Sequence, residues 1–149
     1  MRLTTKGRFA VSAMLDLALQ SQRSPVPLTS ISERQKISLS YLEQLFSKLR
    51  RHDLVQSYRG SGGGYRLSRA RADITIAEVI EAVDEVVDAT NCKGKGDCKN
   101  KWPCISHKLW EGLNKAMLDY LQTVTLEDLV SGKYSCHDET VRQLYQHAI

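Results

Sequence analysis

Cys92, Cys98, Cys104 and His107 fall within sixteen residues in the pattern C-x5-C-x5-C-x2-H. Three thiolates and an imidazole at such close spacing are a ligand set for one metal centre. Crowded cysteines in a reducing compartment hold metals or clusters more often than they form staples. Taken alone, the donors leave two occupants open. Zinc accepts a Cys3His set, although zinc modules usually draw on paired C-x2-4-C knuckles, which this chain lacks. An iron–sulfur centre fits the wide gaps, because Lys93, Gly94, Lys95, Gly96, Lys99 and Lys101 describe a pliable, positively charged loop suited to a larger anionic group. His107 in place of a fourth cysteine makes such a centre less negative and easier to lose as pH falls. Cys104 and His107, three apart, are expected on one helical face. Cys136, beside His137 in a polar tail, reads as an isolated surface thiol rather than a fifth ligand.

The rest of the chain must position this set. Its 149 residues suit one domain with an appendage, or two small units sharing a core, and the 42% apolar content is ordinary for a globular protein. The early apolar run is broken by Asp16 and Gln20, well short of a membrane span, and no leader is apparent, so cytoplasm is the expected location and no membrane partner is expected. The charge is unevenly divided. Residues 1–72 carry thirteen Lys/Arg against four Asp/Glu, while residues 73–149 carry eight against thirteen. A basic half of this kind is either a solvated face or a surface that lies on phosphates.

Periodicity favours the second reading. Phe9, Ala10, Ala13, Met14, Leu17 and Ala18 predict a helix over residues 8 to about 21. Ser30-x-x-Glu33 has the form of a capping box opening a short helix to about Gln35. Ser38 is placed to cap a third helix that buries Leu39, Leu42, Leu45, Phe46 and Leu49 and leaves Ser40, Glu43, Gln44 and Ser47 outward. Two helices with a short turn, the second bearing small polar side chains near its start, predict a helix-turn-helix whose second helix enters a major groove. Gln44 suits bidentate pairing with adenine, and Glu43 can accept from a cytosine amino group or repel a wrong site. Equally, Glu43 can be a solvated carboxylate near a helix N-terminus.

Alternating residues 54–58 and 65–68 predict two strands around Arg59, Gly60, Ser61, Gly62, Gly63 and Gly64. A G-x-G-x-x-G register begun at Gly60 puts Tyr65 in the last place, and no G-x4-G-K-[ST] occurs, which disfavours a nucleotide loop. The hairpin is expected to be a wing, with Arg59 reaching a minor groove. Arg2, Lys6, Arg8, Lys48, Arg50 and Arg51 form the expected phosphate-contact set, with Ser38, Ser40, Tyr41, Ser47, Ser61 and the wing glycines completing the DNA face.

The opening Met-Arg-Leu-Thr-Thr-Lys-Gly-Arg-Phe-Ala, the run from Ile31 through Ile37 to Phe46, the Arg59-Gly-Ser-Gly-Gly-Gly-Tyr wing and the Cys/His set together resemble the IscR family of iron–sulfur cluster regulators, from Met1 to about Val130. The resemblance, not the spacing, selects iron–sulfur. It implies a winged helix-turn-helix homodimer acting on double-stranded promoter DNA at the bacterial nucleoid. The same resemblance implies a [2Fe-2S] cluster on Cys92, Cys98, Cys104 and His107, with the cluster-assembly machinery as donor and assembly genes as targets.

Thr75-x-x-Glu78 predicts a capped helix burying Ile76, Val79, Ile80 and Val83, which leads into the ligand loop. Beyond the loop Ile105, Leu109, Leu113, Ala116, Met117, Tyr120, Leu121 and Val124 keep a helical period too long for a small winged domain to cover, so a second copy is expected over part of it. A short helix over 125–130, ended by Gly132, and a frayed tail follow. The expected fold is mainly α with a small β-hairpin wing, divided as a winged domain (1–72), linking helix and ligand loop (73–103), dimerisation and terminal helices (104–132) and a flexible tail (133–149). No nucleophile elbow, zinc-hydrolase helix or dinucleotide fingerprint occurs, which argues against an enzyme. A cluster carrier needs neither the basic half nor the wing. A regulator of this architecture holding zinc, or answering nitric oxide or iron, is the alternative.

Overall fold

A computed structural model describes residues 4–21, 23–90, 92–93, 95–97 and 102–133. Arg2, Cys98, Cys136 and the tail from 134 onward lie outside the described residues.

Helix α1 spans Thr5–Gln20, α2 Leu28–Gln35 and α3 Leu39–Arg51. Strands β1 (Val55–Tyr58) and β2 (Gly64–Leu67) pair antiparallel, with Val55 opposite Leu67 and Tyr58 opposite Gly64. A 3-10 turn at Arg71–Asp73 precedes α4 (Ile76–Ala82), and α5 (His107–Thr123) and α6 (Leu126–Val130) close the described chain. The expected mainly helical fold with a hairpin wing is what forms.

Local starts differ from expectation in ways the packing explains. Helix α1 opens three residues early because Thr4 caps it, its hydroxyl accepting from Lys6 N–H at 3.3 Å. The expected box at Ser30 does not form. Helix α2 starts at Leu28 after Pro27, whose carbonyl accepts from the N–H groups of Ser30 and Ile31. The chain is fixed there by the bridge between Val26 and Tyr65, with bonds of 2.9 and 2.8 Å, so the helix begins where the pairing ends. Ser38 holds the N-cap position of α3 without using its hydroxyl on the helix. Leu39, expected inside, is 38% exposed at the first residue of α3, while the buried face of the helix begins at Leu42.

Alternating burial along α1 and α3 produces one core: Met14, Leu17, Ile31, Leu42, Leu45, Phe46, Leu49 and Leu54 are fully buried. The core does not stop at Ala72. Ile74, Ile76, Val79, Ile80, Val83, Val124 and Leu126 belong to the same cluster, since α4 and α6 both lie on α1. Residues 74–76 pair with 124–126: Ile76 N–H donates to Val124 C=O at 2.9 Å and Leu126 N–H to Ile74 C=O at 3.0 Å. Each side of this bridge carries a capping box, Thr75 with Glu78 and Thr125 with Asp128. Val124, expected on the dimer face, is therefore 4% exposed in its own chain's core.

Candidate functional site

The ligand loop is suspended between α4 and α5. After α4 the chain turns through Asp84, and Asp88 then fixes the segment to the long helix. Asp88 Oδ1 accepts from Thr90 N–H (2.7 Å), Thr90 Oγ1 (2.8 Å) and Asn114 Nδ2 (2.7 Å), while Ala89 N–H donates to Asn114 Oδ1 at 2.6 Å. These donors hold the Asp88 carboxyl below its usual range, those of Thr90 most.

Cys92 Sγ then lies 3.7 Å from His107 Nδ1, across fifteen positions of sequence. A tetrahedral ion with zinc-type bond lengths sets a sulfur and a nitrogen ligand about 3.5 Å apart, so these two donors already stand at the spacing of ligands sharing one metal. Lys95 N–H donates to Cys92 C=O at 3.1 Å, turning the loop back. Gly96 follows at φ 72, where a Cβ would come within 3.8 Å of His107 Nε2, so the loop backbone backs the imidazole. Cys104 is half-buried, with Sγ 3.6 Å from Ser106 Oγ, and Ser106 Oγ also accepts from Trp110 Nε1 at 3.1 Å. Cys104 and His107 do not share a helical face as expected, because α5 begins at His107. They are joined by a turn in which His107 N–H donates to Cys104 C=O at 2.9 Å. Among the described residues no three His, Cys, Asp or Glu side chains converge as a metal cage. Soft donors of this type suit iron–sulfur and zinc alike.

The second surface is the exposed side of α3 and the hairpin, where the expected DNA contacts lie. Ser38, Ser40, Glu43, Gln44, Arg50 and Arg51 are exposed, and Ser47 and Lys48 are half-buried. Tyr41 is half-buried with its ring edge-on to Phe9, 5.9 Å between centroids, so its ring packs between α1 and α3. Arg8 is exposed at the start of α1, and Arg59, Gly60, Ser61 and Gly62 are exposed at the wing tip. The wing's orientation depends on Gly64, at φ 150, where a Cβ would lie 2.4 Å from the Val26 backbone. Tyr65 then seats against Phe46, 4.9 Å between centroids, fixing the hairpin to α3.

Two acidic residues that sequence reasoning passed over join the surfaces. Asp84 Oδ2 accepts from Lys48 Nζ at 2.6 Å, and the Asp84 carbonyl accepts from Lys6 Nζ at 3.2 Å. The neighbouring Glu85 carboxylate, in a residue only 8% exposed, accepts from the N–H groups of Thr4 (2.6 Å) and Gly7 (3.1 Å) and from the Thr4 hydroxyl. Burial pushes the Glu85 carboxyl up, but these three donors and the Lys6 charge outweigh it and hold the group below the usual range. No pattern in the sequence marks either contact, since they are long-range. The Thr125-x-x-Asp128 box, by contrast, has a readable form.

Helix α5 buries none of its residues in this chain. Leu109 is 65% exposed, Leu113, Met117 and Leu121 are half-buried, Tyr120 is exposed, and Ile105, fully exposed, precedes the helix instead of belonging to it.

The Rrf2 family, described as iron-dependent transcriptional regulators, matches residues 3–132. The chain belongs to the Rrf2 family. Among relatives, the HTH-type transcriptional regulator IscR of Vibrio vulnificus strain YJ016 is 61% identical over 131 residues, covering 88% of this chain and 78% of that one. The IscR of Escherichia coli O1:K1 / APEC is 54% identical over 146 residues, covering 93% and 90%. Among solved structures, the global cysteine regulator CymR of B. subtilis superposes with a TM-score of 0.75 at 32% identity, covering 88% of this chain and 97% of that one. IscR of T. potens superposes with a TM-score of 0.74 at 32% identity, covering 93% of each. This Rrf2 protein is thus a winged-helix transcriptional regulator of the IscR type that binds DNA, and not an enzyme. No helix among its described residues is long and apolar enough to cross a membrane.

Proposed function

We propose that this Rrf2 regulator is a cytoplasmic homodimer that carries a [2Fe-2S] cluster on Cys92, Cys98, Cys104 and His107, received from the cluster-assembly machinery, and that cluster occupancy alters which promoter sites it binds. The observation that carries a metal centre here is the approach of Cys92 Sγ to His107 Nδ1 at 3.7 Å, and the family's iron dependence favours iron over zinc in it. Bound there, the cluster would supply a redox-labile group whose presence reports iron–sulfur supply. The chain's own residues do the rest. Cys92 and His107 bring the two ends of the loop together, and the Asp88–Asn114 bonds fix its entry to α5. The exposed apolar side of α5 provides the surface for a second copy, which sets the spacing of two recognition helices. On each, Ser40, Glu43, Gln44 and Ser47 face bases, Arg59 reaches the minor groove from the wing, and Arg8, Arg50 and Arg51 lie toward phosphates.

The decisive measurement is the anaerobic visible spectrum of the purified protein, with iron, sulfide and zinc quantified on the same sample. Brown protein with equal iron and sulfide, bleached in His107→Ala, supports the reading. Colourless protein with one zinc per chain replaces it with a zinc-stabilised regulator of the same architecture. A triple alanine variant of the three cysteines that matches the loaded protein on every promoter would end the sensing claim.

A further inference from the structure

The turn that closes α4 reaches the DNA-binding half at three points. Asp84 adopts left-handed backbone, φ 55, a conformation that Asp and Asn tolerate better than most residues. Its N–H donates to Glu81 C=O at 2.9 Å and the Glu85 N–H to Ile80 C=O at 3.3 Å, which fixes the turn. So held, the turn presents the Asp84 carbonyl to Lys6, the Glu85 carboxylate to the start of α1, and the Asp84 carboxylate to Lys48. Lys48 lies in the last turn of α3 with Arg50 and Arg51. Its 2.6 Å pair with Asp84 is open to solvent, the two side chains being 34% and 69% exposed, so another anion can take the carboxylate's place without unfolding.

We propose that Asp84 is an internal stand-in for a DNA phosphate, occupying the Lys48 ammonium until the duplex displaces it, and so sets the affinity of the recognition surface. The proposal rests on the reading of Lys48 as a phosphate contact. An ammonium is a compact point charge, and a carboxylate already 2.6 Å away satisfies much of its demand. When a phosphate takes Lys48, the Asp84 carboxylate is left uncompensated beside a polyanion and recruits a cation from solution. Binding by the natural protein therefore releases one ion fewer, net, than binding by a protein without that carboxylate. The neighbouring Lys6 ammonium, on the Asp84 carbonyl, does not relieve this repulsion by itself, since it is a phosphate candidate too.

The test uses the full chain as purified, its iron content matched across variants, with fluorescence anisotropy on a short mixed-sequence duplex over a salt series. Mixed sequence suffices because phosphate contacts do not depend on bases. Asp84→Asn keeps a side chain that accepts the left-handed turn. It is expected to tighten binding about two- to fivefold, the range of an exposed ion pair, and to steepen the salt dependence by about one unit. Lys48→Gln is expected to weaken binding with little change in that dependence, because the cation released at Lys48 is offset by the one Asp84 takes up, whereas in the Asp84→Asn background it should flatten the dependence by about one unit. In the Lys48→Gln background, Asp84→Asn should then change little. Unchanged or weaker binding by Asp84→Asn, with Lys48→Gln still weakened, overturns the stand-in and leaves the Lys48 contact intact. An equal gain from Asp84→Asn in both backgrounds also overturns it, since the carboxylate then acts through its general field. Lys48→Gln without effect removes the phosphate-contact reading, and the proposal with it.

Discussion

Replacing Glu85 by Gln removes the charge that joins the α4 turn to the start of α1 while keeping the side chain's volume. In the native chain the carboxylate accepts three hydrogen bonds, from Thr4 N–H, Thr4 Oγ1 and Gly7 N–H, and it sits in a residue 8% exposed. Hydrogen bonds to a charged acceptor contribute about 1.5–3 kcal/mol each, and the three are not independent. A glutamine offers one oxygen and turns an NH2 toward groups that are themselves donors, so at least one backbone N–H at the helix start loses its acceptor. The negative charge also leaves a helix N-terminus, where it is favourable. The expected loss is about 2–4 kcal/mol at neutral pH, read as a fall in the urea midpoint at fixed protomer concentration and iron loading. The pH dependence has a definite sign. Because the folded Glu85 carboxyl titrates below its ordinary value, its contribution is fully present above the unfolded pKa. It is lost as pH falls through the lower folded pKa. The gap between native and Glu85→Gln proteins should therefore narrow toward acid, with the urea m-value the same for both. A difference under about 1 kcal/mol, or one that stays constant from neutral pH into the acid range, would refute the account of Glu85 as a charged helix cap.

Three further outcomes are expected. Gly64→Ala puts a Cβ 2.4 Å from the Val26 backbone and should cost about 2–4 kcal/mol through strain and the broken Val26–Tyr65 pairing. Gly62→Ala, with no atom within 4 Å, should cost about 1 kcal/mol, and chemical denaturation of the two variants makes the comparison. Arg59→Ala should weaken binding and flatten the preference for narrow A·T-rich minor grooves, whereas Gln44→Ala should relax one base position by about 1–3 kcal/mol, as selection from a randomised duplex library would show. Asn114→Ala cuts both bonds that tie the loop entry to α5 and should hasten loss of bound iron to a chelator by up to about tenfold, with the visible spectrum unchanged in shape.

Much of this architecture is carried by local pattern. The apolar period of α1 and α3, the strand alternation around a glycine tip, the Thr75–Glu78 box and the Cys/His spacing are each set by residues near one another in the chain, so they can be read without knowing any tertiary contact. The charge surplus of residues 1–72 and the long stripe after Cys104 are likewise properties of composition and period. Errors arose where a distant partner overrode the local signal. The bridge between Val26 and Tyr65 moved the start of α2 from Ser30 to Leu28, and Leu39, at the first residue of α3, lies outside the face that begins at Leu42. Periodicity alone could not tell which apolar positions of the long helix remain outside, because Val124 is taken up by the pairing of 124–126 with 74–76 while Leu109 is left open. That same pairing carries the core past Ala72, where composition changes but packing does not. The approach of Cys92 to His107, and the grip of Asp84 and Glu85 on Lys48, Lys6 and Thr4, span 15 to 81 positions of sequence. Those meetings are decided by how α4 lies against α1, α3 and α5, since only the folded chain brings such distant charges and donors within 2.6 to 3.7 Å of each other.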